Sequence, residues 1–176
     1  MSRKVSWEEV LDLAKKENKV IISGCQRSGT TIAALAIATE IDRRFVDENV
    51  YKVENQELFH KQFTSPEKSV IHAPAMLHIL NHYQNKALIV IMERDINDVV
   101  KSMKRIGWFK GHGKREYSKF KEGVPNSPEE IYKVKAEFAS TLKCVILPYS
   151  ELKKSRMYVD KRNNWHFKQV APESTN

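Results

Sequence analysis

Cysteine is scarce in this chain: Cys25 and Cys144 are the only two among 176 residues. Two thiols do not make a disulfide framework, which excludes a disulfide-stapled secreted scaffold. Both lie in or just after strand-like runs and read as reduced, part-buried side chains. Long apolar runs are missing too, and none approaches the ~18 residues a membrane-spanning helix needs. The opening Met1-Ser2-Arg3-Lys4-Val5-Ser6-Trp7-Glu8-Glu9 is charged and has no apolar core of a secretory signal. A cytoplasmic location is therefore expected. There is no internal repeat and no low-complexity segment. Metal-ligand spacing is also lacking. His78 and His82 stand four apart, but without the glutamate of His-Glu-x-x-His or a convincing third ligand, so no metal is expected.

What is present describes a folded protein. Apolar residues make up 41% and charged residues 30%, enough for one domain spanning 1–176 with a proper core. The net charge is +8, and it is concentrated. Between Lys101 and Lys121 stand eight basic residues against one acid, Glu116. Such a stretch favours an anionic partner: a phosphorylated cofactor, an acidic acceptor or nucleic acid. A plain solvated surface is the alternative.

The most informative segment is Val20-Ile21-Ile22-Ser23-Gly24-Cys25-Gln26-Arg27-Ser28-Gly29-Thr30-Thr31, followed by the apolar Ile32 to Ala38. It reads as strand, glycine-bearing turn and helix. A helix N-terminus offers free N–H groups and a partial positive charge, which together attract anions. Gly24 and Gly29 have the spacing of the phosphate-binding loop G-x-x-x-x-G-K-[ST], but Thr30 stands where the lysine belongs. The loop's only formal charge is Arg27. An ordinary junction, with Ser28 or Thr30 as the helix N-cap, is the competing reading.

Taken in order, Ser6-Trp7-Glu8-Glu9 fits a capping box and opens a helix near 7–17. Lys19 to Ser23 is the first expected strand, and Thr30 to about Arg44 a largely apolar helix. Val50 to Val53 suggests a short strand, and Gln56 to Phe63 a short helix. Ser69 to His72 reads as a strand, and Pro74 opens a helix through about Tyr83. Ala87 to Met92, apolar on both faces, is the clearest candidate for a central parallel strand. It ends at Glu93-Arg94-Asp95 before an amphipathic helix. Residues 107–126 look like loop. Ser127-Pro128-Glu129-Glu130 starts a helix to about Thr141, and Lys143 to Leu147 is a late strand. The alternation predicts an α/β domain with a parallel sheet of four or five strands flanked by helices. In such sheets ligands lie beyond the carboxyl ends of the strands. Gly24 to Thr31, His72 and Arg94 all fall there.

Arg27-Ser28-Gly29-Thr30-Thr31 after an apolar strand resembles the 5′-phosphosulfate loop of the sulfotransferase family. Arg94 at a strand end with Ser102 eight residues on is similar to the pair that grips the cofactor's 3′-phosphate there. His72-Ala73-Pro74 resembles the family's His-x-Pro stretch, which carries the catalytic base. Pro148-Tyr149-Ser150-Glu151-Leu152 is similar to its Tyr-Glu-Asp-Leu stretch, with Ser150 in place of an acid. Lys161-Arg162-Asn163-Asn164-Trp165-His166-Phe167 is similar to its C-terminal cofactor loop, without the usual glycines. Ile32 stands where many members carry tryptophan. The resemblance implies a P-loop α/β fold and the cofactor 3′-phosphoadenosine-5′-phosphosulfate. It also implies sulfuryl transfer to a hydroxyl or amine, with no metal. Arg27, Ser28, Gly29, Thr30, Thr31, Arg94, Ser102 and Arg162 are its implied cofactor contacts. His72 is its implied base, with Arg27 neutralising the leaving phosphate. Glu54, Glu57, His60 and His78 are reserve candidates for the base. The acceptor is not named by the sequence; the basic stretch reads as a cofactor rim or a lid over an anionic one.

Two other readings stand beside it. A P-loop nucleotide kinase or NTPase would bind ATP with magnesium, and lacks its lysine. A non-enzymatic nucleic-acid binder would use the basic stretch with Trp108, Phe109, Tyr117 and Phe120 interleaved. For Arg94 alone, a salt bridge to Asp95 or Asp98 is the simpler role.

Overall fold

The computed structural model describes residues 2–158. Arg162, Lys161 and the rest of the tail lie outside the described residues. Six strands form one sheet: β1 (Arg3–Lys4), β2 (Lys19–Gly24), β3 (Arg44–Val46), β4 (Ser69–His72), β5 (Leu88–Glu93) and β6 (Val145–Pro148). Six α-helices surround it: α1 (Trp7–Lys16), α2 (Thr30–Glu40), α3 (Gln56–Thr64), α4 (Ile96–Arg105), α5 (His112–Tyr117) and α6 (Pro128–Ser140). The strand order is β1-β6-β5-β2-β4-β3 and every pairing is parallel. The sheet is open, because β1 and β3 are unpaired edges among the described residues.

Period-2 alternation sorts the strand side chains into two cores. Val20, Ile22, Val70, Val90, Met92, Val145 and Leu147 face α1 and α2. Ile21, Ile71, Ile89 and Ile91 face the opposite side, with Phe59, Leu77, Leu80 and Ala139. β2 is buried along its whole length, as a central strand covered on both faces must be. α2 buries Ala33, Ala34, Ala36 and Ala38, whose small side chains let the helix lie close on the sheet, together with the larger Ile37.

Helix boundaries follow local chemistry. Ser6 accepts a hydrogen bond from the Glu9 amide at 3.2 Å, and Ser127 from the Glu130 amide at 3.3 Å, each a standard N-cap. Asp95 caps α4 by accepting from the Asn97 and Asp98 amides at 2.8 and 3.3 Å.

Several expectations are corrected. The sheet has six strands, not four or five, because β1 and β3 are edge strands of two and three residues without alternation long enough to recognise. The helix expected to reach Arg44 stops at Glu40, and Arg44 begins β3. Val50 to Val53 is not a strand; Glu48–Tyr51 forms a 3₁₀ turn capped by Asp47. The segment opened by Pro74 is also 3₁₀ rather than α. The supposed loop 107–126 contains α5. Cys25 and Cys144 are both free and buried, and burial pushes the Cys25 thiol up to about 11.

Candidate functional site

β2 and β4 are neighbours, and so are β2 and β5, so their carboxyl ends come out side by side. The β2–α2 loop occupies that edge. Two glycines shape it. Gly24 has φ 137°, and a Cβ there would come within 2.9 Å of the Met92 carbonyl oxygen. Gly29 has φ 91°, and its Cβ would meet the Tyr149 ring at 2.7 Å. Neither position tolerates a side chain. Arg27 also adopts a positive φ, 71°, a conformation uncommon for a side-chain-bearing residue.

Three of the residues singled out from the sequence, Arg27, Arg94 and Ser102, meet at this loop. Arg27 Nε donates to Ser102 Oγ at 3.0 Å, and Arg94 Nη1 donates to the Arg27 carbonyl oxygen at 3.1 Å. The Arg94–Ser102 pair therefore touches the loop directly. Tyr149 lies beneath the Arg94 guanidinium, 4.3 Å from ring centroid to Cζ, and Tyr132 Oη donates to the Arg94 carbonyl at 2.9 Å. Arg94 Nε is buried without a hydrogen-bond partner among the described residues. Its nearest carboxylate, Asp98, is 3.9 Å away, so the simple salt bridge exists only as a long contact. Asp95 is occupied as the α4 cap. Arg27 is an exposed residue whose guanidinium is only partly desolvated; that desolvation first, then the Arg105 and Arg94 charges, pull its pKa down. Like charges held together in this way are relieved by a bound anion.

Neither Ser28 nor Thr30 is the N-cap. Gly29 holds that position, and no side chain caps α2. Ser28 Oγ instead donates to the Cys25 carbonyl at 2.5 Å, bracing the loop from inside. The first amides of α2 thus have no side-chain acceptor.

His72 is 4% exposed. Its Nε2 lies 3.0 Å from Thr30 Oγ1 and 3.3 Å from Thr31 Oγ1, and its Nδ1 lies 3.0 Å from Asp47 Oδ1. The hydrogen bond from His72 is the leading reason the Asp47 carboxyl titrates below its usual range; burial opposes it. The adjacent Glu48 is raised, chiefly by burial, and accepts from the Ala75 amide at 3.0 Å. Tyr51 Oη donates to the His72 carbonyl at 2.7 Å, holding the end of β4.

A buried ionic network supports the loop from the other face of the sheet. Lys135 is 1% exposed and donates to Gln26 Oε1 at 2.7 Å, to Glu116 Oε2 at 3.0 Å and to the Pro74 carbonyl at 3.1 Å. Lys119 donates to Glu116 Oε1 at 2.6 Å and to Glu54 Oε1 at 3.0 Å. Gln26 Nε2 adds a bond to Glu116 Oε2 at 3.1 Å. Burial alone would raise the Glu116 carboxyl; the Lys135 and Lys119 ammoniums overcome it and bring the value to about 2.

The reserve candidates lie elsewhere or are already engaged. Glu54 pairs with Lys119 and, at 3.3 Å, with Arg115. His60 lies 3.3 Å from Tyr83 Oη, and His78 Nε2 lies 3.4 Å from Gln56 Nε2. Glu57 is exposed in the first turn of α3. The basic stretch is not a uniform surface. Trp108, Tyr117 and Phe120 pack inward, and Glu116 is its buried anchor.

Asp47, Tyr149, Gln26 and Lys135 were not singled out for these contacts by sequence reasoning. Asp47 follows an edge strand too short to recognise. Helical spacing puts Lys135 midway between Ile131 and Ala139, on the buried stripe of α6, and that lysine on an apolar face is the signal that could have marked it. Tyr149 carried a weak signal in the stretch after the last strand. No protein-family model matches this chain, and no curated protein matches it. Among the described residues, no helix is long and apolar enough to cross a membrane.

Proposed function

We propose that this protein binds 3′-phosphoadenosine-5′-phosphosulfate in a P-loop-like cradle and transfers its sulfuryl group to a hydroxyl or amine. The observation that carries the reading is the meeting of Arg27, Arg94 and Ser102 at the uncapped start of α2. Two guanidiniums with few carboxylates around them, a neutral hydroxyl and free helix amides suit a ligand with two phosphate groups. The amides of Gly29, Thr30 and Thr31 would hold the 5′-phosphate. Arg94 and Ser102 would take the 3′-phosphate, the planar fork of arginine matching two phosphate oxygens.

In the reaction, the acceptor atom attacks sulfur in line and the sulfur–oxygen bond to the 5′-phosphate breaks. The electron pair stays on that oxygen, where Arg27 and the amides offset the growing charge; preorganised donors of this kind are usually the largest catalytic contribution. His72 is the base for the proton that the acceptor loses, a task suited to imidazole. The inward packing of Trp108, Tyr117 and Phe120 removes most of the stacking platform that a nucleic-acid binder would need.

Thermal shift with adenosine 3′,5′-bisphosphate against ATP plus magnesium tests the proposal. At a hundredfold excess over its dissociation constant, the bisphosphate adds ~2.7 kcal/mol of stability. Arg94→Ala is expected to abolish that response. Stabilisation by ATP plus magnesium alone would replace the proposal with a kinase or NTPase.

A further inference from the structure

Resting on that reading, we propose that the base is reached indirectly: Thr31 relays the acceptor's proton to His72, and Asp47 positions His72 to receive it.

Three observations carry this. First, His72 is 4% exposed, so an acceptor cannot reach its ring nitrogen without displacing the loop. Second, two hydroxyls lie at Nε2, and they differ in access. Thr30 is also 4% exposed, whereas Thr31 is exposed at the first turn of α2. Thr31 is thus the group that both solvent and His72 can reach, at 3.3 Å from Nε2. Third, Asp47 Oδ1 is 3.0 Å from Nδ1. An ionised carboxylate only accepts, so the Nδ1 proton belongs to the imidazole and the Nε2 lone pair points at the hydroxyls. The sequence hydroxyl, imidazole, carboxylate is the arrangement that activates hydroxyls on unrelated folds.

The site around His72 is otherwise fixed. Asp47 Oδ1 also accepts from its neighbour's amide, Glu48 N, at 2.8 Å, and Asp47 Oδ2 from Asn49 Nδ2 at 2.9 Å, so the carboxylate does not rotate freely. Tyr51 holds the His72 carbonyl. Glu48 stands nearby as a second acid, raised mainly by burial. Nε2 has one lone pair, so the two hydroxyls alternate as its donor; Thr30 is buried and has no route to an acceptor, and only Thr31 exchanges the proton.

The step balances. As the acceptor–sulfur bond forms and the sulfur–oxygen bond of the phosphosulfate breaks, the acceptor's proton passes to Thr31 Oγ1. The Thr31 hydroxyl proton passes to His72 Nε2. The imidazolium then lies against the Asp47 carboxylate, and the leaving electron pair rests on the 5′-phosphate. Thr31 is a catalytic residue in this scheme, and Asp47 a positioning residue.

Nitrogen-15 NMR of the His72 ring tests the positioning without any need for turnover. The wild type is expected in the Nδ1–H tautomer, and Asp47→Asn, which can donate to Nδ1, is expected to shift it toward Nε2–H. An Nε2–H tautomer in the wild type, or no change in Asp47→Asn, overturns it. Release of adenosine 3′,5′-bisphosphate from the phosphosulfate, with water as acceptor, tests the relay. Thr31→Val should lower kcat by about a hundredfold, the lower end expected for a positioned proton-transfer group, with a smaller change in KM, and Thr31→Ser should restore it. Equal kcat in Thr31→Val and wild type refutes the relay, as does no turnover by a wild type that binds the bisphosphate. Failure of the wild type to bind the bisphosphate would instead sink the cofactor assignment, leaving the tautomer result standing.

Discussion

Glu116→Gln is the substitution whose cost the structure defines best. The Glu116 carboxylate is buried between two ammoniums, Lys135 at 3.0 Å and Lys119 at 2.6 Å. Glutamine keeps the shape and one acceptor but removes the charge. Lys119 retains Glu54 at 3.0 Å. Lys135, 1% exposed, keeps only neutral acceptors, Gln26 and the Pro74 carbonyl. Removing one partner of a buried ion pair costs about 3–5 kcal/mol, because the other charge is left uncompensated. That is a fifth or more of the total stability of an ordinary domain, about 5–15 kcal/mol.

The pH dependence gives a second measure of the same interaction. The folded value of about 2 lies below the ordinary 4.5. A depressed carboxyl contributes stability that is fully present above the unfolded value and is lost as pH falls through the folded one. The window is therefore about pH 4.5 down to 2, and the contribution is on the order of 3 kcal/mol, at ~1.4 kcal/mol per pH unit. Urea titrations at pH 7 and pH 3, with unchanged m, measure both quantities. The wild type should lose stability between the two conditions, and Glu116→Gln should lose less. Lys135→Met with Glu116→Leu, an apolar pair of similar volume, should recover most of the loss at neutral pH. A cost below ~1 kcal/mol for Glu116→Gln, or equal acid dependence in both proteins, would refute the idea that this pair is ionised and buried.

Other substitutions separate the loop from the frame. Gly29→Ala places a Cβ 2.7 Å from Tyr149 at φ 91°, so it should cost more than ~1 kcal/mol in urea melts and remove the bisphosphate response. Asp95→Ala removes the acceptor for two α4 amides; about 1 kcal/mol of stability should go, and a loss near zero would mean that α4 is held by packing alone. Phe59→Ala empties a fully buried site packed edge-to-face on Tyr51 and Tyr83 at 5.3 and 5.2 Å, with an expected loss of about 3–5 kcal/mol in the same assay. Calorimetric titration should find bisphosphate affinity falling as salt rises, since Arg27 is exposed to screening.

Local pattern carried the sheet's interior and the loop. β2 and β5 are continuous apolar runs because both faces are covered, so their hydrophobicity alone marks them as central. The caps at Ser6 and Ser127 are short-range hydrogen bonds, written in residues three apart. Gly24 and Gly29 mark the turn because only glycine tolerates those backbone angles against Met92 and Tyr149. The candidate site was legible where its residues sit at the ends of such strands: Arg27, His72 and Arg94. The edges were not legible, because two or three residues show no period and β1 and β3 exist only by pairing with neighbours. Nor were the partners of the site residues. Asp47 meets His72 across 25 positions, Gln26 meets Lys135 across 109, and Arg27 meets Ser102 across 75. A charged side chain has the same identity in water as beneath a sheet. Whether it ends as a solvated surface group, like Glu57, or as the buried centre of a network, like Glu116, depends on what the folded chain brings to it from far away in the sequence.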